Sequence, residues 1–248
     1  MNRPTVTAFA LLILSAMTTT AWAAGDDAAM ALVDKGIASL GGDKVAHAAG
    51  YEVEYEVKRN FQGNENTMYG FMVVKGVDHA KTELEGEFNG NEFLSVNVIA
   101  GDKGWTSFGD NPNLDGDRLA RQKRQVYLQV IPTLLTPLKT DAFKVASAGD
   151  ADIDGKPAAK LTVTGPDGGT FDLYLEKETG LPLKTVSVNR FQDQERTLET
   201  FYSDYKDFDG VKKAVSVKTP GEGFFAQDQT VKKFKLLTEV SDDHFKQP

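Results

Sequence analysis

The sequence predicts an α+β fold dominated by a large antiparallel β-sheet. Apolar and polar residues alternate with period two along most of the chain, which is the pattern of half-buried strands. Turn dipeptides such as Asn89-Gly90 and Asp209-Gly210 separate these runs, as they do in β-hairpins. Only two segments, one N-terminal and one mid-chain, have the spacing of amphipathic helices.

The first 23 residues have the pattern of a secretory signal peptide. Arg3 precedes the apolar run Ala8–Met17, and Ala21-Trp22-Ala23 places small residues on both sides of a larger one, as signal peptidase requires. The apolar run is shorter than the roughly 20 residues of a membrane-spanning helix. We therefore expect export to the periplasm, cleavage after Ala23 and no stable membrane insertion.

Composition narrows the classes of function further. The chain has no cysteine, so it contains neither disulfides nor a cysteine-linked lipid. Its formal charge of −8 argues against nucleic acid as a partner and against adsorption to anionic membranes. We expect a soluble monomer with one domain over residues 24–248. A chain of this length buries enough apolar surface to be stable without covalent cross-links.

The N-terminal helix is predicted over Ala28–Leu40. Apolar residues such as Leu32, Val33 and Ile37 recur there at three- and four-residue spacing, and Gly41-Gly42 ends the helix.

Strands follow from Tyr51 onward, since the apolar period changes there from helical to two. The predicted strands are Tyr51–Arg59, Thr67–Lys75, Ala80–Glu87, Phe93–Ala100, Gly104–Phe108, Phe143–Ala146, Ala158–Thr164, Thr170–Glu176, Leu183–Arg190, Arg196–Tyr205, Val211–Lys218 and Thr230–Leu237. The second and fourth of these carry apolar residues on both faces, so we expect both faces of the sheet to be covered there.

The segment Asp115–Leu138 interrupts the strands with a helix followed by an apolar stretch. Pro132 and Pro137 should end or kink the helix, because proline lacks an amide hydrogen and clashes with the preceding turn. The helix has one apolar stripe, formed by Leu119, Val126, Tyr127, Val130, Ile131 and Leu134.

Motifs for catalysis or metal binding are weak. Asp150–Gly155 matches the first half of a calcium loop, but Leu161 occupies the twelfth position, where a glutamate belongs. A solvated hairpin turn explains the same residues. The three histidines have no partner at ligand spacing, and there is no nucleophile elbow. We expect no cofactor, no metal and a binding protein rather than an enzyme.

Several stretches together resemble the LolA/LolB-like superfamily, the periplasmic lipoprotein carriers and their outer-membrane-sorting relatives. Besides the signal peptide and the mid-chain helix, the matching stretches are Leu40-Gly41-Gly42, Tyr51–Arg59, Ala100–Trp105, Leu175–Pro182 and Tyr202–Lys212. The chain departs from the family at Ala214, where relatives usually have proline.

The resemblance implies a strongly curved sheet, an incomplete β-barrel of about eleven strands, covered by the N-terminal and mid-chain helices. It also implies a half-barrel cavity for an acylated or hydrophobic ligand, such as lipid or lipoprotein acyl chains, and a role in outer-membrane lipoprotein sorting. By resemblance, the cavity would be lined by Tyr55, Val57, Phe71, Val73, Leu84, Val96, Val98, Trp105, Leu119, Tyr127, Ile131 and Leu134.

Two alternatives stay open. The same half-barrel could bind an envelope protein, as stress-sensing regulators with this fold do. A hydrolase is the third reading, because a pair of catalytic carboxylates is invisible in sequence when the two residues are far apart along the chain.

Overall fold

The computed structural model describes residues 22–61, 64–88, 90–107, 109–191, 194–221 and 226–247. The predicted signal peptide lies outside these residues, except for Trp22 and Ala23. Phe108, at the end of one predicted strand, also lies outside them.

Thirteen antiparallel strands form one sheet in the described chain, which confirms the predicted fold class. Their spatial order is β6-β5-β4-β3-β2-β1-β13-β12-β11-β10-β9-β8-β7, and the sheet does not close into a barrel. The bounds are β1 Gly50–Phe61, β2 Asn64–Lys75, β3 His79–Phe88, β4 Asn91–Ala100, β5 Lys103–Thr106, β6 Asn113–Leu114, β7 Lys144–Ile153, β8 Lys156–Thr164, β9 Thr170–Glu176, β10 Pro182–Phe191, β11 Gln194–Phe208, β12 Val211–Thr219 and β13 Gln227–Leu237. The number exceeds the expected eleven, partly because the two-residue β6 adds to one edge.

Within the described residues, three α-helices accompany the sheet: α1 Trp22–Leu40, α2 Asp43–Ala46 and α3 Gly116–Leu134. Helix α1 begins before the predicted Ala28. Helix α3 continues two residues beyond Pro132, to Leu134, and its C-cap is Leu135, whose φ of 61° is left-handed. Proline is tolerated there because it removes only one hydrogen bond in the last turn.

The inner face of the sheet, defined as the face that carries α1 and α3, holds the main core. The core cluster joins Val33 and Leu40 of α1 to Ile131 of α3 and to strand residues such as Leu161 and Leu173. The predicted stripe of α3 is confirmed: five of its six members are buried, and Leu119 is partly buried against the same cluster.

The outer face, defined as the opposite side of the sheet, has a smaller core next to β2, β4 and β5. Val73 and Val98 pack there against Val240 and Phe245, which follow the last strand. A short 3-10 helix, Asp242–Phe245, forms this cover. The C-terminal segment is therefore what buries the second apolar face that the sequence predicts.

Candidate functional site: a cleft at the strand ends

The space between helices and sheet is a packed core. Tyr127 is 2% exposed, while Ile131 and Leu135 have no exposed surface. The Tyr127 ring meets the Phe143 and Phe171 rings at centroid distances of 5.6 and 6.1 Å. Leu134 is 3% exposed and Leu119 is partly buried against the same cluster, so the four α3 residues expected in the cavity wall pack against other side chains.

The twelve expected cavity residues are divided between the two faces of the sheet. The strand register puts Tyr55, Val57 and Leu84 on the inner face with the α3 residues. The Tyr55 ring lies directly over Gly70, where a Cβ atom would come within 2.2 Å of it. Burial raises the pKa of Tyr55 above its usual value.

The remaining five residues lie on the outer face and cannot line an inner cavity. They pack beneath or beside the C-terminal segment, and they are Phe71, Val73, Val96, Val98 and Trp105. Strands β2 and β4 are apolar on both faces, so their composition alone does not tell which side faces the helices.

An opening to solvent lies where the ends of β1, β12 and β13 meet β11 and the β7–β8 hairpin. We call it the strand-end cleft. Its volume is about 680 Å³, and its walls are formed by Lys58, Arg59, Glu65, Ile153, Asp154, Lys156, Leu183, Phe201, Tyr202, Ser203, Lys218, Thr219, Pro220, Gly221, Ala226, Gln227 and Asp228. None of the twelve expected residues belongs to this wall.

A row of polar side chains crosses the inner face beside this cleft. The Thr185 and Tyr202 hydroxyls are 3.0 Å apart, and the Thr200 and Thr219 hydroxyls are 2.9 Å apart. Burial raises the pKa of Tyr202 to about 12, so its hydroxyl stays neutral near pH 7. The inner face thus changes from wholly apolar beneath the helices to mixed near the strand ends.

Arg59 ends this row on β1. Its Nη2 donates a hydrogen bond to Gln227 Oε1 at 3.3 Å. Its Nε is buried without a hydrogen-bond partner in the part of the chain that the structure describes. Burial lowers the pKa of Arg59, because the charged guanidinium loses hydration.

Sequence reasoning missed Arg59, although a signal was present. Tyr51, Val53, Tyr55 and Val57 alternate along β1, and Arg59 is the next residue on that same buried face. A cation that continues an apolar face is unusual, since arginine is almost never fully buried unless paired.

Lys213 is a second partly buried cation on the sheet. Its Nζ donates to Thr133 Oγ1 of α3 at 2.7 Å and lies 5.9 Å from the centroid of the Phe234 ring. Burial lowers the pKa of Lys213 from 10.5 to about 8. Lys213 is not part of the cleft wall, and its contacts tie α3 to β12.

Two of the three aspartates of the calcium-like segment make protein contacts. Asp150 pairs with Lys177 at 2.6 Å, and Asp152 Oδ1 accepts from the Gly155 amide at 2.7 Å in the turn between β7 and β8. Across the described residues no cluster of three or more acidic or histidine side chains could hold a metal ion. Among the same residues, no helix combines the length and apolarity needed to span a membrane.

Comparison with solved structures identifies the fold. The chain is similar to a DUF1329 family protein from Desulfovibrio piger, with a TM-score of 0.56, 13% identity, and coverage of 88% of this chain and 97% of that one. A LolA superfamily protein from Nitrosomonas europaea matches with a TM-score of 0.56 and 12% identity over 88% of this chain and 97% of its own.

A third structure is a domain named for outer-membrane lipoprotein sorting, from Vibrio parahaemolyticus. It matches with a TM-score of 0.50 and 12% identity over 86% of this chain and 97% of its own. No protein-family model matches the sequence, and no curated protein matches it significantly. The resemblance to the LolA/LolB-like superfamily is thus confirmed at the level of the fold.

Proposed function

We propose that this chain is a periplasmic protein that binds an acylated or otherwise amphiphilic ligand in the strand-end cleft. The observation that carries the proposal is the mixed wall of the cleft, where Leu183 and Ala226 contribute apolar surface beside Arg59 and Gln227. A volume of about 680 Å³ is within the range of roughly 300–1,000 Å³ typical of small-molecule sites.

Two further observations support the location and the ligand class. The signal-peptide pattern of the first 23 residues supports export. The fold shared with a domain named for outer-membrane lipoprotein sorting supports a ligand from the lipids or acylated proteins of the envelope. A role in lipoprotein sorting is the specific form of this proposal, with the chain as a carrier rather than an enzyme.

Binding of a fluorescent fatty acid tests the proposal. Ser203 is exposed and belongs to the cleft wall, so Ser203→Trp should take up part of the cleft without disturbing a core. We expect this variant to bind at least about tenfold more weakly than the wild type, a loss of about 1.4 kcal/mol.

The matched control is Ser147→Trp, an exposed serine on β7 outside the cleft, which should bind like the wild type. Absence of binding by the wild type, together with no lipid in native mass spectra of the periplasmic protein, would sink the proposal. Equal loss in both tryptophan variants would place the ligand elsewhere.

The outer face favours a second candidate function, binding of an envelope protein. Tyr69 and Leu94 are 54% and 60% exposed on neighbouring parts of β2 and β4, and they flank Glu85 of β3. Exposed apolar side chains beside carboxylates suit a partner segment that alternates apolar and basic residues.

Cross-linking in periplasmic extracts distinguishes the two candidates. A protein cross-linked to the wild type and lost in a Tyr69→Ser/Leu94→Ser variant, but kept in Ser203→Trp, would favour the interaction module. Self-association of the purified chain through the same patch would contradict the expected monomer, and sedimentation analysis would detect it.

A further inference from the structure

Arg59 differs from the other cations of the strand-end cleft in having no carboxylate partner among the residues that the structure describes. The three lysines of the wall are neutralised by ion pairs: Lys58–Glu65 at 3.0 Å, Lys218–Asp228 at 3.2 Å and Lys156–Glu176 at 3.6 Å. Among the described residues, no carboxylate oxygen lies within 4.0 Å of the Arg59 guanidinium. The cleft therefore contains one cation whose charge the described protein leaves unbalanced.

The hydrogen bonds of Arg59 also leave its charge without a balancing acceptor in the described chain. Gln227 supplies a neutral amide oxygen at 3.3 Å, and Nε has no acceptor at all in the described chain although it is shielded from solvent. A desolvated charge without a partner destabilises a protein, so such an arrangement is typical of a site that awaits an acceptor. Arginine also presents planar paired donors that match a carboxylate or a phosphate.

We infer that Arg59 binds the anionic headgroup, a carboxylate or phosphate, of the amphiphile held in the strand-end cleft. The inference rests on the proposed function, because it requires a ligand in this cleft. The apolar chain of the ligand then lies against Leu183 and Ala226. Headgroup selection is local, since the protein as a whole carries a formal charge of −8 and does not attract anions.

The test compares ligands with the same chain and different heads. Palmitate and its methyl ester share the same acyl chain, but the ester has no charge and carries an added methyl group. Acetate and inorganic phosphate supply the anion without the chain. Wild-type protein should bind palmitate at least about tenfold more tightly than the ester. Arg59→Gln should abolish that preference by weakening palmitate binding, with ester binding unchanged.

Two further variants sharpen the comparison. Arg59→Lys keeps the charge and loses the planar donor pair, so its preference should be intermediate. Lys233→Gln removes an exposed cation that is already paired with Glu54 and lies outside the cleft wall, so it should retain the wild-type preference. Urea unfolding of each variant checks folding, and Arg59→Gln should be at least as stable as the wild type because it removes an unpaired buried charge.

The outcomes separate the two claims. If neither palmitate nor its ester binds the wild type, the proposed function fails. If both bind equally and Arg59→Gln changes nothing, the cleft still takes an apolar ligand and the headgroup inference is overturned. If acetate or phosphate binds as tightly as palmitate, Arg59 binds a free anion. The inference that it binds the headgroup of an amphiphile is then wrong.

Discussion

Replacing Ile131 with alanine tests whether the space beneath α3 is a packed core. Ile131, Val130 and Leu135 are all 0% exposed, and they lie between the helix and the inner face of the sheet. Truncation of a fully buried isoleucine typically costs about 2–5 kcal/mol, depending on how far the surroundings collapse. Because neighbours on both elements are rigidly packed, we expect a loss of about 3–4 kcal/mol.

Urea unfolding followed by circular dichroism measures this loss. With a slope of about 2 kcal/mol per molar urea, the midpoint should fall by roughly 1.5–2 M. The matched control is Leu94→Ala on the outer face, where the side chain is 60% exposed and the change should stay within about 0.5 kcal/mol.

A small effect of Ile131→Ala would refute the reasoning. If the variant loses less than about 1 kcal/mol while Leu94→Ala behaves as expected, the space beneath α3 is open enough to tolerate the truncation. The helix-covered interior would then return as the candidate ligand chamber, in place of the strand-end cleft.

Two other predictions concern packing and charge. Lys213→Met should stabilise the protein at pH 7, because burial lowers the pKa of Lys213 to about 8 and the folded state holds a poorly solvated charge below that pH. The variant's gain in unfolding free energy, at most about 3 kcal/mol, should shrink between pH 8 and 10.5, because Lys213 of the folded wild type loses its proton there. If urea titrations show the same gain at every pH, this reasoning is wrong. Gly36→Ala should cost about 1–3 kcal/mol, since its Cβ would lie 2.5 Å from Gly180 O and Leu135 Cδ1. An unchanged thermal midpoint would show that α1 packs less closely on that turn.

The sheet could be predicted from the sequence because strand periodicity and turn chemistry are local properties. In β9, Phe171, Leu173 and Leu175 are buried and the residues between them are half-buried, as the alternation indicates. The α3 stripe is equally local, since its members recur at helical spacing. The extension of α3 past Pro132 escaped prediction because the loss of one hydrogen bond near a helix end is offset by tertiary packing.

The site could not be predicted in the same way, because it depends on contacts between distant parts of the chain. Val73 and Val98 are buried by Val240 and Phe245, which are far away along the chain. Nothing near the two valines in the sequence indicates which residues will cover them. The strand-end cleft likewise brings together residues from β1, β11, β12 and β13. Apolar composition therefore identified core residues, whereas the proposed site contains Arg59, whose Nε has no hydrogen-bond partner in the described chain.

The most direct test of the account is to locate a bound ligand by photo-cross-linking. A fatty acid with a diazirine on its chain would be added to the purified protein, irradiated, and the labelled peptides identified by mass spectrometry. Ligand binding in the strand-end cleft predicts labels at Leu183 or Ala226, and competition by palmitate should remove them. Labels confined to α3 around Tyr127 and Ile131 would contradict the account.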